Sequence, residues 1–145
     1  MTGFATRLHQ QIQQKRTPAL IGLDPRWDWL PAEIRQAAET PGGRHEEIVA
    51  RGFERFCCEI LELAARHVAV VKPQVAFFEQ YGVPGLQALQ NVMRKARSLG
   101  LLVIADAKRG DIGTTAEAYA AGWLAGEDPN AATWPADALT INPYL

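Results

Sequence analysis

The sequence predicts an α/β protein built on a parallel sheet, and three observations carry that prediction. Four short apolar runs, ALIGLD (19–24), VAVVKP (68–73), LLVIAD (101–106) and ALTIN (138–142), are spread along the 145 residues. The first three are nearly continuous in Val, Ile, Leu and Ala, the pattern of strands buried on both faces; strict alternation would mark a sheet with one wet face. Segments of helical periodicity fall between the runs, and strand–helix–strand alternation favours right-handed βαβ units.

Ahead of the first run, Phe4, Leu8 and Ile12 recur every fourth residue and predict a helix lying as a lid over one end of the sheet. Strand one is followed by a long insertion, PRWDWLPAEIRQAAETPGGR (25–44), with a loop around Pro41-Gly42-Gly43. The segment HEEIVARGFERFCCEILELAARH (45–67) reads as a helix whose apolar stripe is Ile48, Phe53, Phe56, Ile60 and Leu63. After strand two, VPGLQALQNVMRKARSLG (83–100) carries Pro84 in its first turn, where a missing N–H costs nothing, then Leu86, Leu89 and Met93, and stops near Gly100. After strand three, TTAEAYAAGWLAG (114–126) reads as a shorter, Ala-rich helix with Thr114 or Thr115 as candidate N-cap. TWP (133–135) leads into strand four.

This layout fits a (β/α)8 TIM-type barrel, of which the chain covers about the first four βα units; whole barrels typically run to about 250 residues. Residues 1–145 are therefore expected to form a single domain, the N-terminal half of a barrel truncated after strand four. Such a half would expose the edges of strands one and four and an apolar inner face.

Hydrophobic residues make up 48% of the chain and charged residues 21%, with a net charge of −1. That balance argues against nucleic acid or an anionic membrane as the main partner. No apolar stretch approaches the length of a membrane span, and MTGFATRLHQQIQQK lacks the apolar core of a signal peptide. Cys57 and Cys58 are helical neighbours that point apart, a poor pair for a disulfide and without metal-site spacing. The expected setting is reduced and cytoplasmic.

The four strands end in Asp24, Lys72, Asp106 and Asn142. In parallel α/β folds the carboxyl ends of the strands face one way and ligands bind there, so these side chains are expected to gather on one face. Asp or Asn after a strand is ordinary turn chemistry; a lysine followed by Pro73 is not. DAKRGDIG (106–113) adds Asp106, Lys108 and Asp111 in a D-x-K-x-x-D spacing. Alone, that spacing fits a solvated turn as well as an active site, and its position after a buried strand favours the active site. Two cations and two anions nearly cancel, so Lys72, Asp106, Lys108 and Asp111 can stay ionised away from water if well hydrogen-bonded. Such a cluster can hold a substrate charge, deliver a proton from Lys108 and stabilise a carbanion. No covalent nucleophile is evident, and His9, His45 and His67 read as surface residues.

LIGLDPR (20–26), VVKPQVAFFE (70–79), DAKRGDIGTT (106–115) and LTINPYL (139–145) together resemble orotidine 5′-phosphate decarboxylase of the longer bacterial type. The resemblance implies a (β/α)8 barrel homodimer that makes UMP from orotidine 5′-phosphate in pyrimidine synthesis, without cofactor or metal. It implies that Asp24 and Lys72 contact the ribose hydroxyls, Lys72 also joining the charge network. Asp106 would sit beside the departing carboxylate, and Lys108 would stabilise and protonate the C6 carbanion. Asp111 and Thr115 would reach the partner subunit's site, and Asn142 would line the pocket. The family's phosphate loops follow strands seven and eight; neither Arg26 nor Arg109 matches its phosphate arginine, and Arg109 is expected to be a loop or interface charge. Three other readings stand beside this one, the blandest being a phosphosugar-binding barrel that has lost activity, against which the retention of Lys72, Asp106, Lys108 and Asp111 argues. Sister Mg²⁺-dependent enzymes on the same barrel, 3-keto-L-gulonate 6-phosphate decarboxylase and hexulose phosphate synthase, carry an acidic metal ligand where this chain has Lys72. A non-catalytic half-barrel acting as an assembly module is the third.

Overall fold

The computed structural model describes residues 2–144, so Leu145, the last residue of the LTINPYL motif, lies outside the described residues. The elements are α1 (Phe4–Lys15), β1 (Leu20–Leu23), a 3-10 turn (Trp27–Trp29), α2 (Ala32–Glu39), α3 (His45–Ala64), β2 (Val70–Pro73), α4 (Val75–Glu79), α5 (Gly82–Ser98), β3 (Leu102–Arg109), α6 (Gly113–Trp123) and β4 (Ala138–Ile141). The strands form one sheet in the order β1-β2-β3-β4, and every pairing is parallel.

Apolar residues on both faces of the strands explain the layering. Val71, Val103 and Ala105 pack outward with Val49, Phe53, Cys57 and Leu61 of α3 and Leu89, Val92 and Met93 of α5 in one continuous core. Val70 and Leu102 belong to a second cluster, with Phe4, Leu8 and Ile12 of α1 and Ile104 against it. The amino-terminal helix therefore closes the end of the sheet where β2 and β3 begin, as its four-residue spacing predicts.

The face of α3 differs from the expected one. Its fully buried seam is Val49, Phe53, Cys57, Leu61, while Leu63 is 59% exposed and Ile48, Phe56 and Ile60 are only half-buried. The seam keeps Phe53 of the expected stripe and turns onto Val49, Cys57 and Leu61, beside Ala50 and Gly52 where neighbouring elements approach closely. A Cβ on Gly52 would stand 2.7 Å from Trp27 Cζ3. Gly85 shows the same in α5, where a Cβ would meet Phe78 O at 2.0 Å.

Three further differences bear on the site. The insertion after β1 holds α2, and the residues after β2 fold into α4, a helix the apolar pattern does not predict. Thr114 and Thr115 lie inside the first turn of α6; its N-cap is Ile112, with no side-chain cap. And β3 continues to Arg109, so Asp106 and Lys108 stand on the strand itself.

The floor of the sheet is tied by a buried carboxylate. Asp137 Oδ1 accepts from Arg7 of α1 and Arg97 of α5, and Oδ2 accepts from Val103 N–H at 2.8 Å. Arg97 also donates to Gly126 O at 2.8 Å, fixing the segment before β4.

Candidate active site

The carboxyl end of β3 is irregular, and the site is built on that irregularity. Ala105 pairs with Leu139 and Arg109 with Ile141, so Asp106, Ala107 and Lys108 stand opposite Thr140 alone. A three-against-one mismatch bulges the strand and re-aims its side chains. Lys108 takes φ 46°, a left-handed conformation rare for a residue with a side chain and a recurrent mark of functional positions.

Asp106 is the hub. Lys108 Nζ pairs with Oδ1 and Lys72 Nζ with Oδ2. Gln74 Nε2 donates to Oδ2 at 2.9 Å, and the Thr140 hydroxyl donates to Oδ1 at 3.0 Å. Burial of Asp106 opposes its ionisation, but hydrogen bonds from Lys108, Lys72 and Thr140, with the charge of Lys72, outweigh it and hold the carboxyl at about 2. The result is a carboxylate fixed between two ammonium groups, one of which, Lys108, stays more than half exposed towards the mouth of the site. Such a cluster is preorganised to stabilise negative charge developing near Lys108 Nζ, and that ammonium can also donate a proton.

Of the residues singled out in the sequence, the structure brings Lys72, Asp106 and Lys108 together. Asp24 is exposed directly after β1, beside the pairing of Gly22 with Lys72. Asp111 is exposed on the loop between β3 and α6, with Oδ1 accepting from Ile112 N–H at 2.8 Å, outside the Asp106 network. Thr115 is exposed in the first turn of α6. Asn142 Oδ1 accepts from Tyr144 N–H at 3.0 Å, and its side chain lines a cleft of about 350 Å³ between β4 and α6 that Asp111 also borders. His9, His45 and His67 are exposed.

Arg109 lies at the end of β3 and not on a loop. It is an internal tie: it donates to Glu79 Oε1 at 2.7 Å and to Ala107 O at 2.6 Å, and its guanidinium lies 5.5 Å from the ring centre of Trp123. The short helix α4 supplies Glu79, so that helix is what holds the end of β3. Gln74 and Thr140 are the two hub residues that sequence reasoning missed. For Gln74 the available signal was its place two residues after Lys72, with which it shares Asp106 Oδ2; Thr140 carried no such mark.

Residues 20–145 match the sequence model of the orotidine 5′-phosphate decarboxylase / HUMPS family. The chain belongs to that family. A protein from Rhodopirellula baltica named orotidine 5′-phosphate decarboxylase is 43% identical over 145 residues, covering 100% of this chain and 47% of its own. One of the same name from Deinococcus radiodurans is 42% identical over 142 residues, covering 98% and 44%. Among solved structures, a Streptomyces avermitilis protein named as an orotidine 5′-phosphate decarboxylase superposes with a TM-score of 0.76 at 37% identity, covering 99% of this chain and 45% of that one. This chain thus spans about half the length of these relatives, and its four-stranded parallel sheet corresponds to the N-terminal half of their TIM-type barrel.

Proposed function

We propose that this chain carries the charge cluster of an orotidine 5′-phosphate decarboxylase, which converts orotidine 5′-phosphate to UMP and CO₂ without cofactor or metal. The observation that carries the reading is the pair of ammonium groups on opposite oxygens of an ionised Asp106 at the carboxyl ends of β2 and β3. Breaking the C6–carboxylate bond leaves the electron pair on C6, with no ring carbonyl conjugated to take it. Stabilisation then comes from fixed charge, and the Lys108 ammonium supplies it and afterwards donates its proton to C6. Asp106 stands beside the departing carboxylate and keeps Lys72 and Lys108 in place. Asp24 and Lys72 bind the ribose hydroxyls, and Asn142 lines the pocket. Asp111 and Thr115 serve the partner subunit's site in a homodimer, and binding energy from the remote phosphate is used at the reacting carbon. The cytoplasm is the proposed compartment.

A Mg²⁺-dependent sister activity is the weaker reading. Lys72 Nζ already takes the Asp106 oxygen that a divalent cation would need, and a cation there repels a second one.

The test is decarboxylation of orotidine 5′-phosphate followed by ultraviolet absorbance. It uses this chain alone and joined to the C-terminal half of the Rhodopirellula baltica relative, each with a Lys108→Ala control. Turnover in the joined barrel that falls about 10³-fold or more in the control supports the reading. Near-normal turnover in the Lys108→Ala barrel sinks the role given to that lysine.

A further inference from the structure

Thr140 is a threonine on β4 that lies within the LTINPYL motif without a role assigned to it from the sequence. It is the single residue facing the three-residue bulge of β3, and it bonds to both ends of that bulge. Its hydroxyl donates to Asp106 Oδ1 at 3.0 Å, and the same oxygen accepts from Lys108 N–H at 3.0 Å. Where the ladder is broken, one side-chain oxygen replaces backbone pairing for Lys108 and also orients the carboxylate that Lys108 Nζ grips. Beyond the bulge, Asn142 N–H donates to Arg109 O at 3.0 Å, so backbone pairing resumes one residue later.

We propose that Thr140 is the positioning residue for Lys108. The left-handed backbone of Lys108 is a conformation that its surroundings must impose. The Thr140 hydroxyl imposes it at the amide, while its bond to Asp106 sets where the ammonium comes to rest. The hydroxyl touches neither end of the reaction directly in this arrangement; it acts through Lys108 and Asp106. As a catalytic statement this rests on the proposed decarboxylation.

The test uses Thr140→Val, which keeps the shape and removes the hydroxyl, and Thr140→Ser, which restores it, both in the joined eight-stranded barrel. Loss of a hydrogen bond to a charged group at the site is expected to lower kcat about ten- to a hundredfold in Thr140→Val with KM and thermal midpoint little changed. Thr140→Ser should recover most of it. Amide hydrogen exchange gives a readout independent of turnover: Lys108 N–H should exchange faster in the Val variant and near the parent rate in the Ser variant. A Val variant with parent kcat, or one whose kcat loss Ser does not restore, overturns the positioning role. Unchanged exchange at Lys108 overturns the geometry behind it. A parent barrel with no turnover would instead overturn the reading of function, and the exchange comparison would then decide the geometric claim by itself.

Discussion

Lys72 from the neighbouring strand β2 and Lys108 from the same strand β3 take opposite oxygens of the Asp106 carboxylate. The arrangement makes stability depend on pH in a direction that can be worked out. The folded carboxyl is lowered from 3.8 to about 2, so folding favours the ionised form. Its contribution is fully present above the unfolded value near 4 and is lost as pH falls through the folded value near 2, amounting to about 2 kcal/mol. Urea unfolding between pH 6 and pH 2 should therefore show a stability loss in the parent that is shallower in Asp106→Asn across pH 4 to 2. Identical slopes in the two proteins would contradict the hub assignment.

Asp137 predicts a different kind of loss, at the opposite end of the strands. Its side chain is fully buried and holds two arginines, with Val103 N–H on the other oxygen. Removing one partner of a buried ion pair typically costs about 3–5 kcal/mol, because the remaining charge stays buried without compensation. Asp137→Ala should destabilise the fold by that order in chemical denaturation. Arg7→Met should be milder, since Arg97 still neutralises the carboxylate. An Asp137→Ala midpoint equal to the parent's would show that the clasp contributes nothing.

Phe53 and Leu63 separate what the sequence made legible from what it did not. The strands were readable because burial on both faces leaves continuous Val, Ile and Leu runs, and helix α1 because its apolar residues repeat every fourth position. The seam of α3 was legible only at Phe53, since large residues attract attention while contact at close approach selects Cys57, Ala50 and Gly52. In the site, Lys72, Asp106 and Lys108 were legible as charges out of place after apolar runs. Thr140 and Gln74 were not, because a neutral residue at a strand end carries no such contrast. The bulge at Lys108 depends on register against β4, which local sequence does not encode. Phe53→Ala should cost about 3–5 kcal/mol by leaving a cavity, whereas Leu63→Ala, on the exposed face, should stay within about 0.5 kcal/mol of the parent. Equal losses at the two positions would restore the stripe expected from size alone.

Asp111 provides the test of the proposed shared site. It lies on an exposed loop, outside the ion network of Lys72, Asp106 and Lys108, so a catalytic role within its own subunit has no contact to support it. A role in the partner subunit's site makes a definite arithmetic prediction. Lys108→Ala dimers lack the ammonium at both sites, and Asp111→Asn dimers lack the second carboxylate at both. In a mixed dimer, the site with Lys108 from the Asp111→Asn subunit receives an intact Asp111 from the other, while the remaining site carries both defects. With random exchange of subunits, about half the dimers are mixed and each has one whole site, so an equimolar mixture of two inactive proteins should regain about a quarter of parent activity. The measurement is turnover of the joined barrels after mixing, brief partial denaturation and refolding. Recovery confined to the mixture places Asp111 across the interface; a mixture as inactive as its components, with mixed dimers demonstrated by mass, keeps Asp111 out of the partner's site.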